Sequence, residues 1–353
     1  MRVVVFGPHA RVGAEVEGRI VDLNGAFTAM LREQKPTRAA INEASWRVPA
    51  ALADLIDRGD AGLDDAAAAI DYATTEVGVG SGVVFERDRV ALHAPTVYRP
   101  RIACAASNYA AHALGSAVSR APLAATNPSD ALAGLFEPEQ IPTIEEIVDK
   151  TRRRGAPRGF WKDFANGVGP ESDVTAPSNV ELFDYEGEVA AVIGRAARHV
   201  RAGQARPYLW GMTLVCDFSI RGGGKRDSLT FNPAKNFDHS AAVGPAVLVG
   251  DFDPQDVRLT TTVNGELRQD FGTSEMIFSF AEFVEHLSET VTLQPGDMIS
   301  GGSGAGTAVD SSTLRPGATA WPDDLARDRF LSPGDLVEIA SPAVGTLRNR
   351  IVA

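Results

Sequence analysis

The sequence has few cysteines and no excess of positive charge, and both shortages exclude classes of protein. Only Cys104 and Cys216 occur in 353 residues, and neither belongs to a CxxC pair. A disulfide framework and a cysteine-rich zinc site are therefore not expected, and both thiols should be free and buried. Basic residues number 34 against 46 acidic ones, which gives a net charge of -12. Without a basic stripe, nucleic acid and anionic membranes are not expected partners.

Long hydrophobic runs are also missing. No uninterrupted apolar stretch approaches the ~18 residues that a membrane-spanning helix needs. The N-terminal residues pass from a short apolar run directly into Gly7 and Pro8, without the apolar core of a signal peptide. These absences predict a soluble, cytoplasmic protein. The hydrophobic content of 44% is ample for a core, and the chain length favours one large domain and one small domain.

The first part of the chain predicts a small α+β domain over residues 1–95. Short apolar runs alternate with glycine-containing turns at the start, and one hairpin is expected to turn at Glu17 and Gly18. Apolar residues at helical spacing follow in 51–59, where Gly59 should end a helix. An alanine-rich amphipathic pattern over 64–76 predicts a second helix.

Residues 96–353 predict a larger, β-rich domain. Short apolar runs bounded by glycine, proline and aspartate favour mostly antiparallel strands, and Pro-Gly-Asp turns at 295–297 and 333–335 should each lead into a strand. One helix is expected at 279–291. The irregular insertion 113–160 could form a lid, and it contains one helix with a capping box of Thr143 and Glu146. The predicted fold class is α+β, rich in β-structure.

Three carboxylates alternate in the segment FDYEGEVAAVIG, at Asp184, Glu186 and Glu188. In a strand these residues share one face, and two ionised carboxylates about 6.5 Å apart repel by about 2.5 kcal/mol at an effective dielectric constant near 20. Either a proton held on one carboxylate or a divalent cation between them relieves that repulsion, and oxygen ligands favour Mg²⁺, Mn²⁺ or Ca²⁺ over zinc. A solvated strand end is the alternative. Gly187, between the two glutamates, favours a close approach of another group.

Further polar side chains follow in two segments. Asp217, Ser219 and Arg221 share one face of a predicted strand, so Asp217 could supply a third oxygen ligand or simply pair with Arg221. Lysine is rare in this arginine-rich chain. Lys162 and Lys235 are therefore candidate site residues, because a lysine in such a chain suggests that the position requires a compact ammonium group.

Two more features offer catalytic groups. His112 follows an apolar run and is a candidate general base, because imidazole titrates near neutral pH, although a single histidine is more often structural. The glycine-rich segment 300–308 is predicted to be a flexible loop whose backbone N–H groups could bind an oxyanion or a carboxylate. No helical pattern follows it, the spacing of a dinucleotide-binding loop is absent, and Ser303 lacks the G-x-S-x-G pattern of a nucleophile.

Taken together and in this order, the motifs resemble the fumarylacetoacetate hydrolase (FAH) superfamily nearly from end to end. NYAAH is similar to the family's N-Y-x-x-H, DYEGE to its E-x-E metal motif, and KNFDHSAAVGP to its K-x-F-D…G-P element. Further segments resemble the family in the same order: RGFWKDFANGVGP, GMTLVCDFSIR, VNGELRQDFGTSEMIF and PGDMISGGSGAG.

The resemblance implies an FAH-type catalytic domain, a mixed β-roll or β-sandwich, over residues 96–353 and assembly as a homodimer. By that analogy Glu186, Glu188 and Asp217 hold Mg²⁺ or Mn²⁺, and the ion chelates a small carboxylate substrate. The substrate would be a 2-oxo or 1,3-diketo acid of the acylpyruvate or fumarylacetoacetate type, and hydrolytic cleavage of a C–C bond would serve catabolism. The remaining roles implied are catalysis by His112 and Lys235, and substrate contacts from Tyr109, Lys162, Arg221, Gly302 and Ser303.

The sequence also departs from the family pattern. Gly115 stands three residues after His112, where many members that cleave acylpyruvates carry an acid. The missing group could come from His239, Glu145 or Glu146. The family also contains decarboxylases, isomerases, dehydratases and lyases on the same metal site. A reaction of a 2-oxo acid without hydrolysis is therefore the alternative, and a binding protein without catalysis is a third hypothesis.

Overall fold

The computed structural model describes residues 1–78, 81–115, 142–178, 180–221, 233–312 and 326–353. Part of the predicted lid, 116–141, lies outside these ranges. Among the helices of the described ranges, none combines the length and the apolar character needed to cross a membrane.

The N-terminal part begins with a three-stranded meander. Its strands pair antiparallel in sequence order: β1 (Arg2–Phe6), β2 (Arg11–Val16) and β3 (Arg19–Asp22). Val16 pairs with Arg19, and the two residues between them, Glu17 and Gly18, have φ values of 49° and 75°. Positive φ at both central residues is the geometry of a tight two-residue turn, so the predicted hairpin is confirmed.

Three helices follow the meander: α1 (Leu23–Arg32), α2 (Thr37–Arg47) and α3 (Leu52–Tyr72). The Asp22 side chain caps α1 by accepting a hydrogen bond from the backbone N–H of Gly25 at 3.0 Å. Helix α3 covers both predicted helical segments and is kinked at Gly59, whose φ of 56° and ψ of -142° are not helical. The sequence patterns did not predict α1 or α2, and α2 gives a weak signal because it buries only Ala40 and Ala44.

The other strands follow in chain order. They are β4 (Val84–Glu86), β5 (Leu92–His93), β6 (Arg101–Ala105), β7 (Gly159–Asp163), β8 (Asp173–Thr175), β9 (Phe183–Asp184), β10 (Gly187–Ile193), β11 (Leu209–Asp217), β12 (Ser219–Ile220), β13 (Ala241–Val249), β14 (Arg258–Val263), β15 (Glu266–Gly272), β16 (Met298–Ser303), β17 (Leu336–Ser341) and β18 (Gly345–Val352).

One eleven-stranded sheet joins the N-terminal strands to the strands that carry the candidate site. Its order is β4-β3-β2-β1-β13-β11-β10-β16-β6-β7, and β5 also pairs with β1. The small sheet expected at the start of the chain is therefore the continuation of a larger one. Strands from both sides of residue 95 share this sheet. The division of the chain into two domains at that residue therefore stays a prediction.

A second sheet has the order β15-β14-β17-β18-β8, and β9 and β12 form a separate two-stranded sheet. Strand β10 is buried on both faces: Val189, Ala191 and Ile193 belong to the core shared with the second sheet, and Ala190 and Val192 to the core shared with the N-terminal helices. This double burial explains the continuous apolar run of the segment. Most strand pairs are antiparallel, and the α+β, β-rich fold class is confirmed.

Local sequence signals mark two of the remaining helices, α4 (Ile144–Arg152) and α5 (Phe280–Ser288), and both Pro-Gly-Asp turns correctly, but the short α6 (Ala308–Ser311) was not predicted. The capping box of Thr143 and Glu146 is present at the start of α4. Both Pro-Gly-Asp segments are turns with positive φ at Gly296 and Gly334, and they lead into β16 and β17 as predicted.

Candidate active site

The three carboxylates predicted to bind metal meet where β9, β10 and β11 come together. The acidic strand is interrupted, because β9 ends at Asp184 and β10 begins at Gly187, and Glu186 lies in the connection. The backbone N–H of Asp217, the last residue of β11, donates to the carbonyl oxygen of Glu186 at 2.9 Å. Glu186, Glu188 and Asp217 are buried, with exposures of 5%, 1% and 1%. A solvated strand end does not fit this burial.

Cys104 also faces this cluster. Its sulfur lies with one carboxylate oxygen each of Glu188 and Asp217 in a group whose atoms are all within 4.8 Å of one another. Both cysteines are free and buried, as predicted. Burial, and then the charges of Asp217 and Glu188, raise the pKa of the Cys104 thiol well above its ordinary value. Because a neutral thiol is a poor ligand for a hard cation, carboxylate oxygens are the donors that suit a metal here.

Two lysines lie directly against the carboxylates. The Lys162 ammonium donates to Oδ1 of Asp217 at 2.5 Å and to the carbonyl oxygen of Lys235 at 2.6 Å. The Lys235 ammonium donates to Oδ2 of Asp217 at 2.8 Å and also contacts Glu186. Both of the lysines that stood out in the sequence are thus at the site. Lys162 is a buried counterion of Asp217, and this position differs from the substrate contact that the resemblance implies.

Arg221 and Asp184 form an ionic pair behind Glu186. Nε of Arg221 donates to Oδ2 of Asp184 at 2.9 Å, and the guanidinium also contacts Glu186. Asp184 accepts further hydrogen bonds from the backbone N–H groups of Ala308 and Val309, at 2.7 and 3.2 Å. Asp184 therefore anchors the start of α6 and orients Arg221, which links it to Glu186.

The electrostatic balance of the cluster suits an additional cation. Four carboxylates face three cationic side chains, and within the described residues Glu188 makes no ion pair. Burial, and then the charges of Asp217 and Glu186, raise the pKa of Glu188 well above its ordinary value. Burial also opposes ionisation of Glu186, but Arg221 and Lys235 outweigh it and hold the pKa of this carboxyl well below its usual range. The raised pKa of Glu188 means that this carboxyl holds either a proton or a cation, and its hard oxygen donors suit a divalent ion.

His112 and Tyr109 approach the cluster from the segment after β6. The His112 imidazole is close enough to Glu186 to help Arg221 and Lys235 lower the pKa of that carboxyl. The Tyr109 hydroxyl is buried and has no hydrogen-bond partner in the part of the chain that the structure describes. Its ring packs edge-on against Phe271, with centroids 4.9 Å apart. An unpartnered buried hydroxyl is a group that a bound ligand would satisfy.

The segment 300–308 is not the open, flexible loop that the sequence predicts. Strand β16 extends to Ser303 and is buried along its whole length, and α6 begins at Ala308. The Ser303 hydroxyl donates to the carbonyl oxygen of Gly187 at 3.1 Å and accepts from the Gln269 amide at 2.8 Å. Gly302 has a φ of 88°, and a Cβ there would lie 3.1 Å from the carbonyl oxygen of Ala105. Ser303 and Gly302 thus hold the strands of the site together.

The three alternative acid–base residues do not join the cluster in the described structure. The imidazole Nδ1 of His239 accepts the backbone N–H of Thr175 at 3.0 Å. Glu145 and Glu146 are exposed on α4, and the Glu146 carboxylate accepts the backbone N–H of Thr143 in the capping box. A different acid lies at the histidine: Oδ2 of Asp310 is 2.7 Å from Nδ1 of His112.

Sequence reasoning missed three residues of the site. Asp310 contacts His112, Ser300 donates a hydrogen bond to Glu188, and Gln269 accepts the backbone N–H of Gly187 at 3.0 Å. Asp310 and Ser300 lie in or beside the segment 300–308, whose resemblance to a family loop marked the region but not these side chains. Gln269 carries no recognisable sequence signal.

Replacing Gly187 by alanine is expected to destabilise the fold by about 1–3 kcal/mol, the usual cost of overpacking. A Cβ at this position would lie 2.2 Å from Oγ1 of Thr261, which is buried, and 3.1 Å from Oε1 of Gln269. Chemical denaturation followed by circular dichroism measures the loss. Gly203→Ala is the matched control, because nothing lies within 4 Å of its added Cβ. Equal stability of the two variants would contradict the close approach at Gly187.

Buried carboxylates, two lysines and a paired histidine on an α+β fold form the kind of site that metal-dependent enzymes use. Sequence comparison gives the family. Residues 101–352 match the family model described as fumarylacetoacetate (FAA) hydrolase C-terminal. This match spans well over half of the chain, and the chain therefore belongs to the fumarylacetoacetate hydrolase family. The membership that the motifs indicate is confirmed.

Similar proteins include a tautomerase, an isomerase and a hydrolase. Bovine oxaloacetate tautomerase FAHD2B, mitochondrial, is 26% identical over 362 residues, covering 100% of this chain and 92% of that protein. The structure of 2-hydroxyhepta-2,4-diene-1,7-dioate isomerase from Mycobacterium marinum is 29% identical with a TM-score of 0.54, covering 77% of this chain and 81% of that one. Maleylpyruvate hydrolase from Sphingobium sp. SYK-6, in complex with manganese(II) and pyruvate, has a TM-score of 0.63 and covers 100% of this chain and 99% of that one. At 19% identity this last structure shows the fold alone, and the FAH-type fold is confirmed.

Proposed function

We propose that this protein is a divalent-metal-dependent enzyme that hydrolyses a C–C bond of a 1,3-diketo acid, of the acylpyruvate or fumarylacetoacetate type. The position of His112 carries the proposal. Its imidazole is paired with the buried Asp310 and is near enough to Glu186 to help lower the pKa of that carboxyl. A general base next to a cation site is the arrangement that activation of water requires.

Glu186, Glu188 and Asp217 would hold the ion. The raised pKa of Glu188, caused first by burial and then by its acidic neighbours, supports a cation at this place. Mg²⁺ or Mn²⁺ is the proposed ion and Ca²⁺ the alternative, and the manganese complex of the Sphingobium protein supports this choice. When bound, the ion supplies Lewis-acid stabilisation of the negative charge on an enolate oxygen.

The side chains around the cluster have complementary roles in the proposal. His112 takes a proton from water and returns it to the carbon of the leaving enolate. Lys235 and Arg221 bring positive charge toward a substrate carboxylate, and the unpartnered hydroxyl of Tyr109 donates a hydrogen bond to the substrate. Lys162 holds the Asp217 carboxylate in place through a hydrogen bond. Assembly as a homodimer remains part of the proposal.

Isomerisation or tautomerisation of a 2-oxo acid is the second candidate function. It is favoured by the full-length relative that is an oxaloacetate tautomerase and by the 29% identical isomerase structure. The same base would move a proton between carbon and oxygen without breaking a C–C bond. Decarboxylation, dehydration and lyase reactions would use the same chelated 2-oxo acid.

A product assay is expected to show release of pyruvate from an acylpyruvate. The protein is loaded with Mn²⁺ and incubated with a panel of acylpyruvates, and pyruvate is quantified by chromatography. His112→Gln is the control variant, and its rate is expected to be about 10²–10⁴-fold lower, the usual contribution of general base catalysis.

The other outcomes identify the alternatives. One such outcome is conversion of enol to keto oxaloacetate, measured by ultraviolet absorbance, without any release of pyruvate from acylpyruvates. That result would replace hydrolysis by tautomerisation as the proposed reaction. Thermal stabilisation by oxalate without turnover of any substrate would instead indicate a binding protein.

A further inference from the structure

We propose that Asp310 is the positioning residue for His112 and that it occupies the space left open by Gly115. The inference rests on the proposed function, because it concerns the base of that reaction. Oδ2 of Asp310 is 2.7 Å from Nδ1 of His112, and the Asp310 side chain is only 2% exposed. A buried carboxylate at this distance accepts the Nδ1–H proton and leaves Nε2 with a free lone pair as the base.

The second oxygen of Asp310 is fixed as well. Oδ1 accepts the backbone N–H of Gly306 at 3.1 Å. Gly306 has a φ of 102°, and a Cβ there would lie 1.8 Å from the carbonyl oxygen of Arg268, so only glycine fits. The backbone at Gly306 is therefore held tightly, and the carboxylate that bridges it to the imidazole has one orientation.

Gly115 shows why the acid comes from α6. Residue 115 lies one helical turn after His112, on the same side of the chain. A Cβ at Gly115 would be 2.7 Å from Cβ of Asp310 and 3.2 Å from its Cγ. A larger side chain at 115 and the aspartate at 310 therefore compete for the same space. One acid can stand beside His112, and in this chain it is Asp310.

Asp310 is not needed to anchor α6. The start of that helix is already held by Asp184, which accepts the N–H groups of Ala308 and Val309 at 2.7 and 3.2 Å. The carboxylate of Asp310 is thus directed to the imidazole while other groups secure its helix.

The proposed reaction needs only water, the substrate and His112 for its bond changes and proton transfers. A water proton passes to Nε2 of His112, the water oxygen forms the new C–O bond, and the C–C bond breaks with its electron pair on the leaving enolate. The proton then passes from Nε2 to the enolate carbon. Asp310 keeps its hydrogen bond to Nδ1 throughout and stabilises the imidazolium that exists between the two transfers.

The test uses Asp310→Asn, Ser311→Ala as a matched control in the same helix, and the exchange variant Gly115→Glu with Asp310→Gly. Asp310→Asn is expected to lower kcat about 10²-fold with little change in KM, while Ser311→Ala keeps the wild-type rate. The exchange variant is expected to recover most of the lost kcat, because it returns an acid to the imidazole from position 115.

Nitrogen-15 NMR of the imidazole rings provides a readout that needs no substrate. The chain has six histidines, and His112→Gln assigns the signal of interest. The wild-type protein is expected to show His112 with Nδ1 protonated, and Asp310→Asn is expected to change that tautomer. An unchanged tautomer would overturn the positioning role even if kcat falls. A changed tautomer in a protein that hydrolyses no acylpyruvate would support the role of Asp310 and count against the proposed reaction alone.

Discussion

Glu188→Gln is expected to abolish stoichiometric binding of Mn²⁺ and to lower turnover by on the order of 10³-fold, since Lewis-acid stabilisation is worth several kcal/mol. Glu188 is buried and makes no ion pair within the described residues, so in that part of the chain it is the carboxylate of the cluster whose charge has no cationic partner. Replacing the carboxylate by an amide removes that charge with almost no change in volume. Isothermal titration calorimetry with Mn²⁺ and elemental analysis after dialysis measure the stoichiometry.

Glu145→Gln is the matched control for this experiment. It removes the same chemical group from an exposed position on α4, and both metal binding and turnover should stay at the wild-type level. Glu186→Ala should lose the metal as Glu188→Gln does. Full retention of one Mn²⁺ per chain in both cluster variants would refute the assignment of the ligands.

Lys162→Met is expected to lower the free energy of unfolding by about 3 kcal/mol, the low end of the cost of breaking a buried ion pair. The Lys162 side chain is 0% exposed and its ammonium is 2.5 Å from Asp217, so methionine leaves that carboxylate with less compensation inside the protein. The cost stays at the low end because Lys235 remains as a second partner of Asp217 at 2.8 Å. Urea denaturation of the metal-free protein measures the change.

Lys35→Met separates this effect from the loss of any lysine. Lys35 pairs with Glu43 at the surface and is 37% exposed, so its replacement should hardly change the urea midpoint. Equal midpoints for Lys162→Met and Lys35→Met would mean that Lys162 contributes no more than a surface lysine.

Features written in a few consecutive residues could be predicted from the sequence. The turn at Glu17 and Gly18 and the capping box of Thr143 and Glu146 depend on side chains next to the backbone groups that they satisfy. The acidic alternation at Glu186 and Glu188 is local too, and the family motifs added Asp217 to it. Short-range chemistry of this kind gives the same signal in every fold.

Contacts between distant segments could not be read in the same way. Asp310 and His112 are 198 residues apart, and Lys162 and Asp217 are 55 apart. Only the strand order brings these pairs together, so neither segment contains a local signal that identifies the other. The surroundings of Asp184 and Gly187 could not be predicted for the same reason, because Ala308 and Thr261, which lie next to them, are distant in the sequence.

Strand β1 pairs with β13 and covers part of its edge, so removal of the N-terminal residues would uncover that edge. Val3 lies opposite Val247 and Arg2 opposite Leu248, so the N-terminal strand covers the far end of β13. A fragment that starts at residue 96 would expose the N–H and C=O groups of this apolar strand as an open edge. An open edge of this kind can pair with another chain and so favours aggregation. By covering the edge of β13, residues 1–95 reduce the tendency to aggregate of the sheet that carries the carboxylates.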